Sequence, residues 1–153
     1  MSKGSGGTRG NGRPVNSVSA SKVDKFLNGE TGWTVDVNKI FKQKYNEADD
    51  KIARAGWIDS GTIFAPKGTV ETVNARDIQP GQAVVGNENL RNIAKSMASE
   101  GQKEIPFGIR VGSKIILLDG HHRVGAQIIS GQNTVKVRLL NISLEDWKAH
   151  GGK

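Results

Sequence analysis

Apolar residues along the chain follow patterns that predict both strands and helices. Residues 115–118 are four consecutive aliphatic side chains, which is typical of a strand buried on both faces. Residues 135–139 alternate between apolar and charged side chains, as in a strand with one face in solvent. Apolar side chains at three- and four-residue steps predict helices over residues 19–27, 38–55 and 90–98.

The segment before the third of these helices predicts a hairpin. Residues 62–65 and 69–73 are rich in β-forming side chains, and the turn-forming triplet at residues 66–68 joins them. We expect the chain to continue as a loop through Pro80 and to begin the helix near Asn87.

The predicted helix over residues 38–55 carries the aromatic residues Phe41 and Tyr45 on one face. Asp36 or Asn38 is a suitable N-terminal cap for this helix. One interpretation of the two rings is a pair that stacks on nucleobases. The other is a helix face packed against the body of the protein, which we favour because it is the commoner role of helical aromatics.

The stretch at residues 119–123 lies between the buried strand and a helix-like run, and its sequence is Asp-Gly-His-His-Arg. A sharp turn from strand to helix leaves backbone N–H groups unpaired, and these donors attract phosphates. Gly120 lets the backbone approach a ligand closely, and Arg123 matches phosphate oxygens. His121 and His122 can exchange protons near neutral pH. These four residues therefore predict a phosphate-binding loop, and the alternative is an ordinary turn with solvated histidines.

Asp119 has two open interpretations. Its carboxylate could hold a divalent metal, because Mg²⁺ takes one or two carboxylates together with phosphate oxygens and waters. Alternatively, the side chain caps the helix that follows. A transition-metal site on His121 and His122 is less favoured, because adjacent residues seldom chelate one ion and no third ligand is evident.

The order of these features resembles the ParB/sulfiredoxin superfamily. The shared features are the Asp-Gly-His-His-Arg stretch, a short helix over residues 124–130, Gly131 and an alternating strand. Upstream, a helix closed by Gly101 is followed by an Ile-Pro pair and a strand, as in that family. The resemblance covers about residues 70–142 and implies a small mixed sheet with helices and a nucleotide-binding loop.

The resemblance also implies which residues surround the loop. The family often has a segment of the form Asp-Leu-x-Pro-x-Gln/Glu, which the chain matches loosely around Pro80. The segment from Pro80 to Asn89, which includes Gln82, is therefore expected to line the same pocket as residues 119–123. Glu104 is a further pocket-lining candidate. Glu88, Glu100 and Glu104 are candidate bases, although each is typical of a solvated surface carboxylate.

Differences from particular branches of the superfamily narrow the expected activity. Its members include CTP switches, kinases, nucleases and a branch that repairs oxidised cysteine. Gln82 stands where the free-serine kinase branch is expected to carry a carboxylate, and an amide cannot act as a general base. His121 stands where sulfiredoxins carry a reactive cysteine, and the Gly-Glu-Arg-Arg motif of partition-type CTPases is replaced by Gly-His-His-Arg.

The composition indicates a basic protein without cysteine chemistry. In 153 residues, 22 lysines and arginines against 15 aspartates and glutamates give a net charge of +7, which favours polyanionic partners such as nucleic acid. The absence of cysteine excludes disulfides, zinc thiolates and thiol catalysis. No apolar run reaches the roughly 20 residues that span a membrane, and no secretory signal is evident. We therefore expect a cytoplasmic protein without a membrane partner.

These observations together predict an α+β fold in four parts. Residues 1–18 are basic and glycine-rich, too polar to offset the entropy of ordering, and predict a disordered arm. Residues 19–59 are expected to form a helical extension, and residues 60–145 the small ParB/sulfiredoxin-like domain with its mixed sheet. Residues 146–153 are expected to form a tail, in which Trp147 packs a short helix onto the body.

The leading functional hypothesis is a domain that binds nucleotide or nucleic-acid phosphates through residues 119–123. The expected ligands are ATP, CTP or ADP with Mg²⁺, and the expected activity is hydrolysis as an NTPase or nuclease. Asp119 would then hold the metal, and His121 or His122 would transfer the proton. A kinase-like phosphotransfer stays open. The alternative is a non-catalytic module that binds DNA, RNA or protein, with nucleic acid held by the basic arm, or a small toxin or phage effector. The sequence predicts no oligomeric state.

Residues 1–18 of the free protein should give sharp amide NMR signals at disordered shifts, because their composition cannot bury enough apolar surface to order the backbone. Hydrogen exchange of the same amides is the check. Protection from exchange without any partner present would contradict the prediction.

Overall fold

The computed structural model describes residues 18–58, 68–101 and 103–153, which form an α+β fold. The helices are α1 (Ala20–Leu27), α2 (Glu47–Trp57), α3 (Asn87–Glu100), α4 (His121–Ile129) and α5 (Leu144–Ala149). The strands are β1 (Thr34–Asp36), β2 (Thr69–Asn74), β3 (Ile78–Pro80), β4 (Val84–Gly86), β5 (Phe107–Val111), β6 (Lys114–Asp119) and β7 (Thr134–Ile142). Short 3-10 helices occupy Val37–Lys39 and Ala75–Asp77.

Five of the strands form one mixed sheet with the order β2-β7-β5-β6-β3. β7 pairs antiparallel with β2 and parallel with β5, β5 pairs antiparallel with β6, and β6 pairs parallel with β3. β1 and β4 form a separate antiparallel ribbon. The end of β6 therefore lies inside the sheet, between β5 and β3, and this end leads into residues 119–123.

Helices cover both faces of the sheet, and β6 contributes to a core on each face. Ile115 and Leu117 of β6 pack in the first core with buried residues of α1, α3 and α4. Ile116 and Leu118 pack in the second core with residues of α2 and α5. This two-sided burial is why four apolar residues in succession occur in one strand.

Several of the elements predicted from the sequence are confirmed. α1 begins after Ser19, whose hydroxyl accepts the Lys22 backbone N–H, and α3 begins at Asn87 and is capped at its C-terminal end by Gly101. β6 and β7 lie at the positions of the two predicted strands, and β2 covers residues 69–74. β2 pairs with β7, whereas the rest of the predicted hairpin at residues 62–67 lies outside the described residues, as do residues 1–17 of the predicted arm. The predicted boundary of the arm at residue 18 is wrong, because Val18 is fully buried in the first core.

The prediction of one helix over residues 38–55 is wrong, because α2 begins only at Glu47. Asp36 Oδ1 accepts the Asn38 backbone N–H at 2.8 Å, and Asn38 Oδ1 accepts the Tyr45 backbone N–H at 2.9 Å. Short polar side chains that bind nearby backbone in this way compete with helical hydrogen bonds. The N-terminal cap of α2 is Asn46, whose Oδ1 accepts the Asp49 N–H at 3.0 Å.

The prediction that Phe41 and Tyr45 pack against the body of the protein is confirmed, although they do not lie on an α-helix. Phe41 is buried in the first core, and Tyr45 is partly buried against the same core. The Phe41 ring lies 6.2 Å from the His121 ring, centroid to centroid. Phe41 therefore supports the candidate site from inside and is not exposed for base stacking.

The residues of the N-terminal third are joined to the sheet by polar contacts as well as by the two cores. Asp49 of α2 is buried and accepts hydrogen bonds from Lys114 Nζ at 2.8 Å and Gln79 Nε2 at 3.2 Å. Arg54 of α2 pairs with Asp50 and donates to the Gly81 carbonyl at 2.7 Å. α2 thus reaches the segment between β3 and β4.

The short helix α5 is held by Trp147, as expected. The Ser143 hydroxyl caps the helix by accepting the Asp146 N–H at 3.0 Å, and Trp147 is fully buried in the second core. The Trp147 and Trp57 rings are stacked, with centroids 6.0 Å apart.

Trp147→Ala should lower the free energy of unfolding by about 3–5 kcal/mol, because it removes a large buried side chain and leaves a cavity between α5 and the sheet. Urea unfolding measures the change. Leu144→Ala on the same helix is the control, since Leu144 is 52% exposed and its loss should change stability by no more than about 0.5 kcal/mol. A similar, small loss in both variants would show that α5 does not depend on Trp147.

Candidate functional site

Residues 119–123 cross from β6 into α4 at one sharp turn. Gly120 has φ +90° and ψ +24°, a left-handed conformation that favours glycine, and α4 begins at the next residue. The expectation that the helix starts near Val124 is wrong by one turn. His121, His122 and Arg123 therefore form the first turn of the helix, so the helix itself fixes the directions of their side chains.

The Gly120 backbone lies close to Pro106. A Cβ atom on Gly120 would lie 2.7 Å from the Pro106 Cβ and 2.9 Å from its Cα, closer than van der Waals contact allows. Pro106 directly precedes β5. Glycine is required here by the turn and by packing, whether or not a ligand is bound.

His121 is buried and lies between backbone groups. Its side chain is 2% exposed, and its Nε2 accepts the Gly81 N–H at 2.8 Å. Burial, followed by the positive charge of Arg54 and by His122, lowers the pKa of His121 to about 3, against the opposing effect of a hydrogen bond with the Leu117 backbone. The imidazole is therefore neutral at physiological pH and joins α4 to the segment after β3.

His122 makes a second bond of the same kind. Its Nε2 accepts the Gly86 N–H at 3.2 Å, at the end of β4 and directly before α3. Partial burial and, secondarily, the Arg123 charge lower the pKa of His122. Because Nε2 is an acceptor, the proton of the neutral ring is on Nδ1.

A pocket of about 370 Å³ opens at the start of α4. It is lined by Asp119, Gly120, His122 and Arg123 together with Asn89, Asn92 and Ile93 of α3. Hereafter these seven residues are called the candidate pocket. His122 is thus the histidine of the pair that contributes to this pocket, while His121 is buried beneath it.

Arg123 is the cation of the candidate pocket. Its Nη2 lies 3.3 Å from Glu104 Oε1, and the Glu104 side chain is 73% exposed. A long pair with a solvated carboxylate contributes little free energy. Its weakness leaves the guanidinium able to exchange Glu104 for an anionic ligand.

The structure rejects one of the two interpretations of Asp119. Gly120 is the N-terminal cap of α4, and among the described residues no side chain caps this helix. Asp119 is exposed and lines the candidate pocket. The described residues contain no cluster of three or more metal-ligating side chains, so any metal here would have Asp119 as its one protein carboxylate from the pocket.

The remaining expected pocket residues lie around the site and do not line it. Pro80 is buried and pairs with Leu117 in the sheet, and Gln82 Nε2 donates to the Val84 carbonyl at 2.7 Å. Glu104 contacts the candidate pocket through Arg123 alone. The segment that contains Pro80 and Gln82 matters instead through the N–H of Gly81, which binds His121.

The sequence did not point to Asn92 and Ile93 as pocket residues. It pointed to Asn89 only as the last residue of the segment from Pro80 that was expected to line the pocket. Asn89 and Asn92 are three residues apart on α3 and so lie on the same face of the helix. That spacing is visible in the sequence, but nothing local indicates that this face meets the start of α4.

The chain matches no protein-family model, and no curated protein matches it at a significant level. The relation to the ParB/sulfiredoxin superfamily therefore stays a prediction, which depends on the Asp-Gly-His-His-Arg stretch at residues 119–123 and the order of the elements around it. In the part of the chain that the structure describes, no helix has both the length and the apolarity that crossing a bilayer requires.

The two histidines predict how stability depends on pH. The folded-state pKa of His121 is below the unfolded value of about 6.5, so the unfolded chain binds more protons between pH 6.5 and about 3. Stability should therefore be highest above pH 6.5 and fall on acidification, by up to about 1.4 kcal/mol per pH unit for this group.

His121→Gln is the comparison, because an amide oxygen can accept the Gly81 N–H but does not titrate. Urea unfolding between pH 7 and 4 should show a shallower pH dependence in the variant than in the wild type. Parallel curves for the two proteins would mean that His121 titrates normally and is not a buried acceptor.

Proposed function

We propose that this protein binds the phosphate groups of a nucleotide in the candidate pocket. The observation that carries the proposal is that the uncapped start of α4 lines the pocket together with Arg123. Unpaired backbone N–H groups, the positive end of the helix dipole and a guanidinium then act on the same anion.

The other lining residues suit the rest of a nucleotide. Asn89 and Asn92 present amide donors and acceptors, and Ile93 adds an apolar surface. The volume of about 370 Å³ is within the range of small-molecule sites. An apolar wall with a few convergent polar groups is the usual composition of such sites.

His122 supports binding by donating a hydrogen bond. Its Nε2 is occupied by Gly86, so the ring has Nδ1–H for a phosphate oxygen. Neutral His122 in this tautomer is a donor and cannot accept a proton from a nucleophile without first losing the Gly86 bond.

Mg²⁺ fits this proposal through Asp119. A magnesium ion commonly takes one or two carboxylates and completes its shell with phosphate oxygens and waters. Asp119 lies in the same pocket as Arg123, so a carboxylate and a cation could share one triphosphate or diphosphate. ATP, CTP and ADP with Mg²⁺ are therefore the ligands to compare.

Hydrolysis by an NTPase or nuclease has less support than binding. A general base needs a free lone pair within reach of the nucleophile. His121 is buried with Nε2 occupied, and His122 Nε2 is occupied as well. We accordingly propose a nucleotide-binding role first and leave catalysis by Asp119, His121 or His122 as a prediction.

Arg123→Ala should weaken nucleotide binding about ten- to hundredfold, because it removes a charge-assisted hydrogen bond of about 1.5–3 kcal/mol. Isothermal titration with ATP, CTP and ADP, each with Mg²⁺, measures the change. Thermal melts of both proteins should differ little, since the Glu104 pair is weak.

Arg110→Ala is the matched control for this experiment. Arg110 is also a half-buried arginine in a salt bridge, with Glu71 at 2.8 Å, and it does not line the candidate pocket. Its loss should leave nucleotide affinity unchanged. The proposal fails if the wild type binds none of the three nucleotides at millimolar concentration, or if both arginine variants lose affinity equally.

A further inference from the structure

A second surface with its own chemistry lies at the opposite end of α4. Two adjoining depressions of about 410 and 540 Å³ meet at Lys42 and Ile128, which line both of them. Lys22, Lys25 and Lys39 line the first depression, and Arg76 lines the second. These five cations and the surface between them are hereafter called the basic groove.

The charge of the basic groove is largely unneutralised. No carboxylate of the described ranges 18–58, 68–101 and 103–153 lines either depression. Among the described residues, Lys39 is the one cation of the groove in a salt bridge, with Glu30 at 3.0 Å, and the Lys39 side chain is 57% exposed. Within the part of the chain that the structure describes, the one hydrogen bond of Lys22 Nζ is to the Ser130 backbone carbonyl, at 3.4 Å. A concave surface with this charge concentrates anions from solution.

The groove also has apolar and amide surface between its cations. Phe26, Ile40, Ile128 and Ile129 contribute apolar surface to the first depression. Asn74, Gln132 and Asn133 contribute amide groups to the second. The Gln132 Oε1 is buried and has no hydrogen-bond partner in the described part of the chain.

We propose that the basic groove binds single-stranded nucleic acid through its phosphodiester backbone. The lysines and Arg76 would neutralise successive phosphates, which gives affinity without sequence information. An unpaired strand also presents base faces to the apolar surface and base edges to the amides, whereas a duplex presents mainly sugars and phosphates. This combination of charge, apolar surface and amides favours a single strand over an acidic peptide, which would match the charge alone.

The basic groove is distinct from the candidate pocket. The pocket lies at the first turn of α4 and the groove at its last turn, and a helix of nine residues is about 13 Å long. The two sites share no lining residue. Because the two sites use different residues, the proposals for strand binding at the groove and for nucleotide binding at the pocket can fail separately.

The test is fluorescence anisotropy of a labelled single strand of about 16 nucleotides, titrated with the full chain between about 50 and 200 mM salt. Lys25→Gln with Lys42→Gln removes two of the proposed phosphate contacts and keeps most of each side-chain stem. Binding at low salt should weaken, and the slope of log affinity against log salt should fall by about 1.4.

The control variant is Lys51→Gln with Lys148→Gln. These exposed lysines lie on α2 and α5, which cover the other face of the sheet, and their loss also lowers the net charge of +7 by two. This variant should bind as the wild type does. Equal weakening in both variants would overturn the proposal, because binding would then follow net charge or residues outside the groove.

Two competitor ligands complete the experiment. A duplex of the same sequence should bind more weakly than the single strand, and equal affinity would contradict the role of the apolar surface. Polyglutamate of matched charge should compete poorly, and effective competition would make the groove a site for acidic peptides. Circular dichroism melts should show that both double variants fold. Absence of binding by the wild type at low salt would also reject the proposal.

Discussion

Two hydrogen bonds from backbone N–H groups to imidazole nitrogens hold the candidate site in its shape. Gly81 donates to His121 and Gly86 donates to His122, so adjacent residues of α4 bind the two ends of the segment between β3 and α3. Both bonds need a neutral imidazole acceptor, and burial of the rings keeps them neutral. Together with the burial of Leu90, Ala94 and Met97 in the first core, this pair of contacts holds α3 beside α4, with Asn89 and Asn92 in the same pocket as Arg123.

This dependence gives the His-His pair a structural meaning as well as a chemical one. His121 is the more deeply buried member and is held on one side by Gly81, while Phe41 packs near its ring. His122 is the member that is both a structural acceptor and part of the candidate pocket. From the sequence, His121 and His122 were expected to transfer protons. In the structure, Nε2 of each ring accepts a hydrogen bond through its directional lone pair.

Features encoded by neighbouring residues could be predicted from the sequence. The four-residue apolar run gives β6, the alternation over residues 135–139 gives β7, and apolar spacing together with Gly101 gives α3. Such patterns depend on which faces of an element are buried, and that information is local. The general α+β class follows from the same patterns.

Features that depend on contacts distant in sequence could not be predicted. A nearer contact also escaped prediction: apolar spacing continues through residues 38–46, but the Asn38 side chain binds the Tyr45 backbone and the chain forms no α-helix there. His121 accepts its hydrogen bond from Gly81, 40 residues away, and its pKa is lowered by burial and then by the charge of Arg54 on another helix. The basic groove likewise combines cations from α1, from the segment after β1 and from the 3-10 helix at Ala75–Asp77.

The sheet order has a consequence for the time at which this fold can form during synthesis. β7 is the only described strand that pairs with β2, and it is also one of the two neighbours of β5. Until the ribosome has made Thr134–Ile142, β2 has no partner among the described strands and one edge of β5 stays open. Most of the apolar strands are therefore synthesised before the sheet can be completed. Chaperones protect newly made proteins from aggregation while they are in such an incomplete state.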